Sequence, residues 1–320
     1  MAQKIFLASG EEDWQAVEKI HNATLDILLH QGVVFQSEEA LAIFQDHGVK
    51  VDQGKRAVYI KPEMVEKALQ KAPSSFVMAA RDPQRNYMIS PTQTGFTTFG
   101  TGFSVIDRKT GLLRDSTKLD VAESAILSDY LDSLDVYTHA LTARDCSFRA
   151  IDLHEAEAFL CNTTKHCMHG NLGGKENIKK YIAMVGLLVD GVSSLPERPV
   201  ASGMTCPQSP LYFPQECCDV IMELGRVGLP VNILPMVIAS QTAPATLAGT
   251  MVVNNAEVLA GLVLAELSTP GTPIFYGCSS TAFDLIRCTA PVGSWELGLC
   301  SAMATKMAQY YQIPSYVAGT

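Results

Sequence analysis

From about residue 96 onward, short apolar segments alternate with long amphipathic ones, and this alternation constrains the fold more than any other feature of the sequence. Short apolar runs are typical of buried strands, whereas the longer segments repeat apolar residues at helical spacing. Strands that alternate with helices indicate a parallel sheet built from βα units. The predicted strands are 96–100, 136–141, 166–170, 199–204, 231–237, 274–278 and 315–319, and the predicted helices between them are 117–132, 151–164, 175–190, 214–228, 244–267 and 294–312.

Two architectures fit such a series: an open doubly wound sheet and a closed (βα)8 barrel of the TIM type. No GxGxxG string follows a strand and opens a helix, which weighs against a dinucleotide-binding open sheet. Polar residues instead follow nearly every strand, as in a barrel active site. The α/β fold class expected is therefore a barrel, and because strand seven is the last one written, the chain is expected to lack the eighth strand and the C-terminal helices.

The first 95 residues show a different pattern, with helices predicted at 11–31, 37–47 and 62–71 and short strands between and after them. We predict an N-terminal cap over residues 1–95, packed on an incomplete barrel over residues 96–320.

The charge of the chain limits the class of partner that it is expected to bind, and its cysteine content indicates its compartment. The formal charge is −9 and no Lys/Arg run occurs, which argues against a nucleic-acid or anionic-membrane surface. Nine cysteines, an odd number, lie in or beside apolar segments and are predicted to be reduced thiols of a cytoplasmic protein. The apolar helix near 246–267 contains Asn254, Asn255 and Glu257, so it is predicted to be a buried core helix and not a bilayer span.

Four residues between 161 and 169 have the side chains of a zinc site: Cys161, His166, Cys167 and His169. His166 and Cys167 are adjacent on a predicted strand, so their side chains point to opposite faces and do not converge on one ion. No metal site is predicted. His169, at the carboxyl end of its strand, is a candidate for the substrate pocket.

Loops after the first two strands supply further candidates. Phe99 and Thr101 belong to a glycine-flanked string that lets a ligand approach the backbone, although a tight turn explains the glycines equally well. Asp145 could anchor a cation, or it could pair with Arg144 to hold the loop.

Aromatic residues and a carboxylate follow the sixth strand, in the segment that contains Tyr276, Phe283 and Asp284. Ring faces attract an alkylammonium ion and a carboxylate neutralises it, so this combination suits a small methylated amine. Packing together with a helix cap is the competing interpretation.

Several strings, taken in order, resemble the trimethylamine methyltransferase family: FGTG (99–102), ARD (143–145), NAEVL (255–259), FDL (283–285), APVGS (290–294), ELGL (296–299) and PSYVAGT (314–320). The resemblance implies transfer of a methyl group from trimethylamine to the cobalt(I) corrinoid of a separate partner protein, giving dimethylamine and methyl-cobalt(III). It implies no cofactor bound directly by this chain. A homo-oligomer is also expected.

In the members of this family that act on trimethylamine, a pyrrolysine follows a PSYVAGS or PSYVAGT string, which places the expected catalytic residue immediately after Thr320. The resemblance therefore leads us to expect an amber-terminated, inactive fragment of a longer enzyme. Two alternatives remain open: a corrinoid-dependent demethylase of another methylated or quaternary amine, such as a betaine, and a genuine inactive scaffold.

Overall fold

A computed structural model describes residues 11–319 of the chain. Every helix predicted from the sequence is present. The helices are α1 (Glu11–His30), α2 (Glu38–Asp46), α3 (Pro62–Lys71), α4 (Lys118–Tyr130), α5 (Ile151–Asn162), α6 (Lys175–Gly186), α7 (Gln215–Arg226), α8 (Leu247–Ser268) and α9 (Trp295–Tyr311).

The strands are short and distribute among several sheets. They are β1 (Val33–Phe35), β2 (Lys50–Asp52), β3 (Ala57–Tyr59), β4 (Phe76–Met78), β5 (Tyr87–Ile89), β6 (Ser104–Ile106), β7 (Leu113–Asp115), β8 (Val136–Thr138), β9 (His166–His169), β10 (Ala201–Thr205), β11 (Tyr212–Phe213), β12 (Val231–Ile233), β13 (Ile238–Ala239), β14 (Ile274–Cys278), β15 (Thr281–Ala282) and β16 (Ser315–Val317).

Local signals in the sequence account for where several helices begin. The Ser37 side chain accepts the Ala40 N–H at the start of α2, and the Thr246 side chain caps α8 in the same way. Thr117 and Asp120 form a reciprocal capping box at the start of α4. Pro62 occupies the first turn of α3, where its missing N–H costs nothing.

A curled, fully parallel sheet of six strands forms the body, in the order β16-β14-β12-β10-β9-β8. The prediction of the first strand, at 96–100, is wrong, because the only backbone pairing recorded between this segment and β8 is an isolated bridge between Thr97 and Val136. At Thr98 the side-chain hydroxyl both donates to the Thr138 carbonyl and accepts the Thr138 N–H, so a side chain takes the place of a backbone ladder.

The two faces of this sheet are distinct. Helices cover the face that we call the outer face, and the strand register assigns alternate residues to the opposite, inner face. Inner-face residues include the apolar cluster of Val136, Met168, Met204, Leu234 and Phe275, together with Thr138, His166, Ser202, Asn232, Gly277 and Tyr316.

The N-terminal region packs on the body through its helices, its small sheet and its hairpin. The antiparallel strands β1, β2 and β3 are joined by β11, which comes from the body and pairs in parallel with β1. The hairpin of β4 and β5 lies against the inner face, where the Phe76 ring meets Phe275 edge to face at 5.0 Å. The N-terminal region therefore closes one end of the inner face.

Within residues 11–319, α8 is the one helix long and apolar enough to span a bilayer, and most of it is buried inside the fold. Helices α1, α2, α3, α7 and α9 pack around it. The polar residues of α8 have partners inside the protein: Asn255 donates to Thr24 and Tyr311, Asn254 accepts from Ser280, and Glu257 accepts from Ser209. These contacts support the prediction of a core helix.

Candidate active site on the inner face

A tyrosine connects the two edge strands of the curled sheet. Tyr316 lies on β16, and its hydroxyl is 3.2 Å from the Thr138 hydroxyl on β8 and 3.5 Å from the Thr98 carbonyl. Thr97 extends this polar cluster, since its hydroxyl is 2.8 Å from that of Thr138. The sheet is therefore curled so tightly that one side chain spans the gap between its edges.

Aromatic rings surround the Tyr316 side chain on the inner side of the sheet. The Phe99 ring centroid lies 6.4 Å from that of Tyr316, and the Phe275 ring meets Tyr316 edge to face at the same distance. Phe99 is 45% exposed, so one of its faces is open to a ligand. The three rings form a corner beside the inner face, which we call the aromatic corner.

The groups around the aromatic corner are uncharged at neutral pH. Burial raises the pKa of Tyr316 to about 12, and the nearby Cys206 acts in the same direction, against the hydrogen bonds to Thr138 and Thr97. Burial of the Cys206 thiol raises its pKa to about 12, although part of the residue is exposed to solvent. Both side chains therefore keep their protons and act as donors.

His166 also lies on the inner face and is neutral, because complete burial lowers its pKa to about 4. Its two ring nitrogens contact the Ala79 carbonyl at 2.9 Å and the Ser202 hydroxyl at 2.8 Å. The neighbouring Cys167 side chain faces the outer helices, as the alternation of a strand requires. The two side chains lie on opposite faces, as predicted.

Two of the predicted pocket residues face away from this space. His169 is fully buried on the outer face, where its Nε2 is 2.8 Å from the Asp152 carbonyl and its Nδ1 accepts the Asn171 N–H. Tyr276 is also fully buried there, and its hydroxyl donates to Asn255 Oδ1 at 2.9 Å. Each of these residues follows an inner-face residue on its strand, so its own side chain points to the outer face. Neither side chain contacts the aromatic corner.

The two predicted rim carboxylates have backbone partners. Asp145 accepts the Lys118 N–H at the start of α4 at 2.7 Å. Asp284 accepts the N–H groups of Ile286 and Arg287 and contacts the Arg287 guanidinium at 3.2 Å. Backbone N–H groups that hydrogen-bond to Asp284 lower the pKa of its carboxyl group. Asp284 therefore orders its own loop, whereas Asp145 connects its loop to the start of α4.

The other two predicted residues are Thr101 and Phe283. Thr101 follows the 96–100 segment and lies beside Gly170 at the end of β9. Phe283 directly follows β15, and its N–H donates to the Ala239 carbonyl. Of the seven predicted substrate-binding residues, only Phe99 is recorded in ring contact with Tyr316.

A buried pair behind β8, His139 and Glu155, was missed by sequence reasoning. Glu155 Oε1 accepts the Ala143 N–H at 2.9 Å, and its Oε2 lies 3.4 Å from His139 Nε2. Burial raises the pKa of Glu155 to about 7 and lowers that of His139 to about 3. The pair supports the loop that carries Asp145 from the outer side of the sheet.

Tyr316 was also missed as a site residue. It stands inside the PSYVAGT string, and the signal that identifies it is the strand parity shared with Phe275 and Gly277, which becomes readable only when the register is known.

Known proteins resemble this chain in sequence and in fold. The profile of the family described as trimethylamine methyltransferase (MTTB) matches residues 10–320. A trimethylamine methyltransferase of Desulfitobacterium hafniense is 41% identical over 300 residues, covering 94% of this chain and 60% of the relative. That of Methanosarcina thermophila is 40% identical over 311 residues, covering 96% and 64%. A glycine betaine methyltransferase of D. hafniense is 32% identical, covering 95% and 63%. The chain thus spans about three fifths of the length of these relatives.

Among solved structures, the monomethylamine methyltransferase of Methanosarcina barkeri resembles this fold, with a TM-score of 0.57, 11% identity, and coverage of 98% of this chain and 69% of that one. At this identity the likeness concerns the fold alone.

Proposed function

The chain belongs to the trimethylamine methyltransferase family, and from that premise we propose that it takes part in demethylating trimethylamine, passing a methyl group to the cobalt(I) corrinoid of a separate partner protein. The observation that carries the proposal is the family match over nearly the whole described chain. The aromatic corner supports it, because a small, apolar, methylated ligand fits a site made of rings and hydroxyls.

The substrate's chemistry explains why rings are useful here. An amine nitrogen that loses a methyl group to a nucleophile must carry positive charge in the transition state, since an amide anion is a poor leaving group. The π faces of Phe99 and Tyr316 stabilise positive charge that develops beside them. Protonation of the nitrogen and addition of its lone pair to the imine carbon of a pyrrolysine are two ways to generate that charge, and both remain open.

We propose further that the curled sheet belongs to a (βα)8 barrel. Strands β16 and β8 are the edges of the described six-stranded sheet, and Tyr316 already spans the gap between them. Relatives longer than this chain support the presence of closing elements in the family. The pyrrolysine expected after Thr320 stays a prediction that rests on the PSYVAGT string, and the base triplet that follows the Thr320 codon tests it.

The second candidate is demethylation of a quaternary amine of the betaine type. The 32% identity to a glycine betaine methyltransferase favours keeping it, and the higher identity to trimethylamine methyltransferases ranks it second. For either substrate we propose a cytoplasmic homo-oligomer, consistent with nine free cysteines.

The first experiment uses the complete gene product, expressed with pyrrolysine decoding, together with its cognate corrinoid protein in the cobalt(I) state. We expect trimethylamine to yield equal amounts of methylated corrinoid, followed by its absorbance, and dimethylamine, followed by chromatography. Methyl transfer from glycine betaine, with none from trimethylamine, would replace the first candidate by the second. No transfer from either would refute the function.

A matched pair of variants then tests the aromatic corner. Phe99→Ala removes one wall, and we expect the apparent KM for trimethylamine to rise about fivefold, because an aromatic contact of this kind is worth about 1 kcal/mol. Tyr130→Ala removes a more exposed ring at the far end of α4 and should leave KM unchanged. Equal KM values for the two variants would remove Phe99 from the site.

A further inference from the structure

The segment that carries Phe99 is fixed at two points. On one side, the Thr98 hydroxyl bonds both the N–H and the carbonyl of one residue of β8. On the other side, the Gly102 N–H donates to the Ala140 carbonyl, and the Gly102 carbonyl accepts the Thr142 N–H, both at 2.9 Å. Phe99 lies between these two anchors, so the position of its ring at the aromatic corner depends on both.

The second anchor, which we call the loop anchor, joins Gly102 to the loop that follows β8. The only β pairing there is an isolated bridge between Gly102 and Leu141. Two side chains hold this loop from the outer side of the sheet: His139 Nε2 is 2.6 Å from the Leu141 carbonyl, and Glu155 Oε1 on α5 accepts the Ala143 N–H at 2.9 Å. The loop anchor therefore depends in part on contacts that lie behind the sheet.

Water cannot replace the contact with Glu155. Ala143 and Glu155 are both fully buried, so no solvent reaches the Ala143 N–H if the carboxylate is absent. An ionised carboxylate is a stronger acceptor than a neutral carbonyl, and a buried donor without a partner is costly. Loss of the carboxylate should therefore shift the loop toward another acceptor and move the loop anchor at Gly102 with it.

We propose that Glu155 is a positioning residue for the aromatic corner, and that it acts on the Phe99 ring through the loop anchor. Glu155 lies behind β8, on the outer side of the sheet, whereas Tyr316 lies on the inner face. This inference rests on the proposed function and adds to its site a residue that contacts no substrate. Such a residue changes substrate affinity only through the group that it places.

The first test removes the acceptor while filling a similar volume. Glu155→Leu should raise the apparent KM for trimethylamine about threefold, less than loss of the ring itself, and leave kcat unchanged. Glu155→Gln keeps a carbonyl oxygen for the Ala143 N–H and should stay within about twofold of the parent. The kinetics use the complete protein and its corrinoid partner at about pH 8.5, where Glu155, with a pKa of about 7, is ionised.

Glu266→Leu is the matched control. Glu266 is also a buried acid, and its Oε2 accepts the Gly271 N–H at 2.8 Å. Like Glu155, it has a second carboxylate oxygen with no partner in the described part of the chain. It holds the turn before β14, at the opposite end of the strands from Ala143. Its KM should equal that of the parent, and an equal rise in both variants would overturn the proposal.

A double variant separates positioning from a general loosening of the fold. If Glu155 acts through Phe99, then Glu155→Leu combined with Phe99→Ala should have the KM of Phe99→Ala alone, about fivefold above the parent. Independent effects would instead multiply to about fifteenfold. Multiplication of the two effects would show that Glu155 does not act through the ring, and the assignment would be lost.

Hydrogen exchange followed by mass spectrometry tests the same contacts without catalysis. Peptides that cover residues 98–103 and 140–146 should exchange faster in Glu155→Leu than in the parent or in Glu266→Leu. Unchanged exchange in both peptides would overturn the proposal. Absence of methyl transfer by the parent protein would refute the proposed function instead, and hydrogen exchange would still test the loop anchor.

Thermal unfolding first shows whether each variant folds. If Glu155→Leu does not fold, Gly102→Ala disturbs the same anchor from the other side, because the added Cβ would lie 3.0 Å from Leu141 Cδ2. We then expect Gly102→Ala to raise KM and to speed exchange in residues 98–103. A folded Gly102→Ala with parental KM and parental exchange would contradict the role of the anchor.

Discussion

The inner and outer faces of the six-stranded sheet are built from the same strands yet differ in almost every physical respect. On β14, Tyr276 points outward into a helix layer while its neighbours Phe275 and Gly277 belong to the inner face. The outer face buries several carboxylic acids, among them Glu155 and Glu257. The inner face buries none among its described residues, and it displays rings and hydroxyls instead.

This difference shows where buried acids are tolerated. Glu257 accepts hydrogen bonds from the Leu211 N–H at 2.8 Å and from the Ser209 hydroxyl at 2.9 Å, so helix α8 holds the loop after β10. Glu155 holds the Ala143 loop in the same manner. The acids of the outer face position loops, whereas the described residues of the inner face are apolar side chains, hydroxyls, an amide, a glycine and the neutral His166.

The largest expected effect comes from adding one methyl group to each face. At Gly277 a Cβ would lie 2.2 Å from the Ile233 carbonyl oxygen and 2.6 Å from the Leu234 Cα, so backbone must move. At Gly203, on the outer face, it would lie 2.3 Å from the tip of the Leu224 side chain, which can rotate. We expect Gly277→Ala to lower the free energy of unfolding by about 3 kcal/mol or more, and Gly203→Ala by about 1–2 kcal/mol.

Urea unfolding of both variants measures this difference. Equal losses of unfolding free energy in the two variants would show that the inner face accommodates an added methyl group as readily as the helix layer does.

A smaller effect concerns the pH dependence of stability. Burial raises the pKa of Glu257 from 4.5 to about 7, against the opposing hydrogen bonds from Leu211 and Ser209. A raised carboxyl pKa stabilises the fold fully below pH 4.5, and this contribution is lost as pH rises to about 7. The total is roughly 3 kcal/mol at most, because each pKa unit corresponds to about 1.36 kcal/mol.

Glu257→Gln keeps an acceptor for Leu211 and a donor for Ser209 but cannot ionise. We therefore expect its free energy of unfolding to depend less steeply on pH between 4.5 and 7 than that of the parent, with the remaining slope due partly to Glu155. Glu123→Gln, at an exposed position on α4, is the control and should leave the slope unchanged. If the free energy of unfolding depended on pH equally steeply in the parent and in Glu257→Gln, ionisation of Glu257 would not contribute to the pH dependence of stability.

The smallest effect is expected at Tyr276. Tyr276→Phe removes the hydrogen bond to Asn255 and should lower the free energy of unfolding by about 1 kcal/mol. Because the side chain faces the helices, the KM for trimethylamine should stay constant. Thermal unfolding and steady-state kinetics on one preparation give both values, and a raised KM would return Tyr276 to the pocket, as the sequence had suggested.

Sequence patterns predicted the helices and most of the strand positions well, because apolar periodicity and capping residues are local signals. They did not predict the segment at 96–100, where the Thr98 hydroxyl replaces backbone hydrogen bonds, since nothing in the residue types distinguishes this from an ordinary strand. The hairpin of β6 and β7 was missed as well; it is held partly by a contact between Asp107 and Arg114.

The candidate site was predicted at the carboxyl ends of the strands, and two of its predicted residues, His169 and Tyr276, lie on the outer face instead. A shift of one residue in register moves a side chain from one face to the other, and no single-strand pattern decides which face is which. Phe99 was predicted to contact substrate and lies at the aromatic corner, where that role awaits its test. Tyr316, out of phase with the predicted Tyr276, was overlooked.

The pairing of β1 with β11 has a consequence for how the chain is made. Val34 pairs with Tyr212, more than half the chain later, so the N-terminal sheet stays one strand short until residue 213 has left the ribosome. During that interval the edge of β1 offers unpaired backbone groups to any neighbouring strand. The order of synthesis therefore makes the N-terminal region dependent on the body for its completion, and a nascent chain halted before residue 212 is the species most in need of a chaperone.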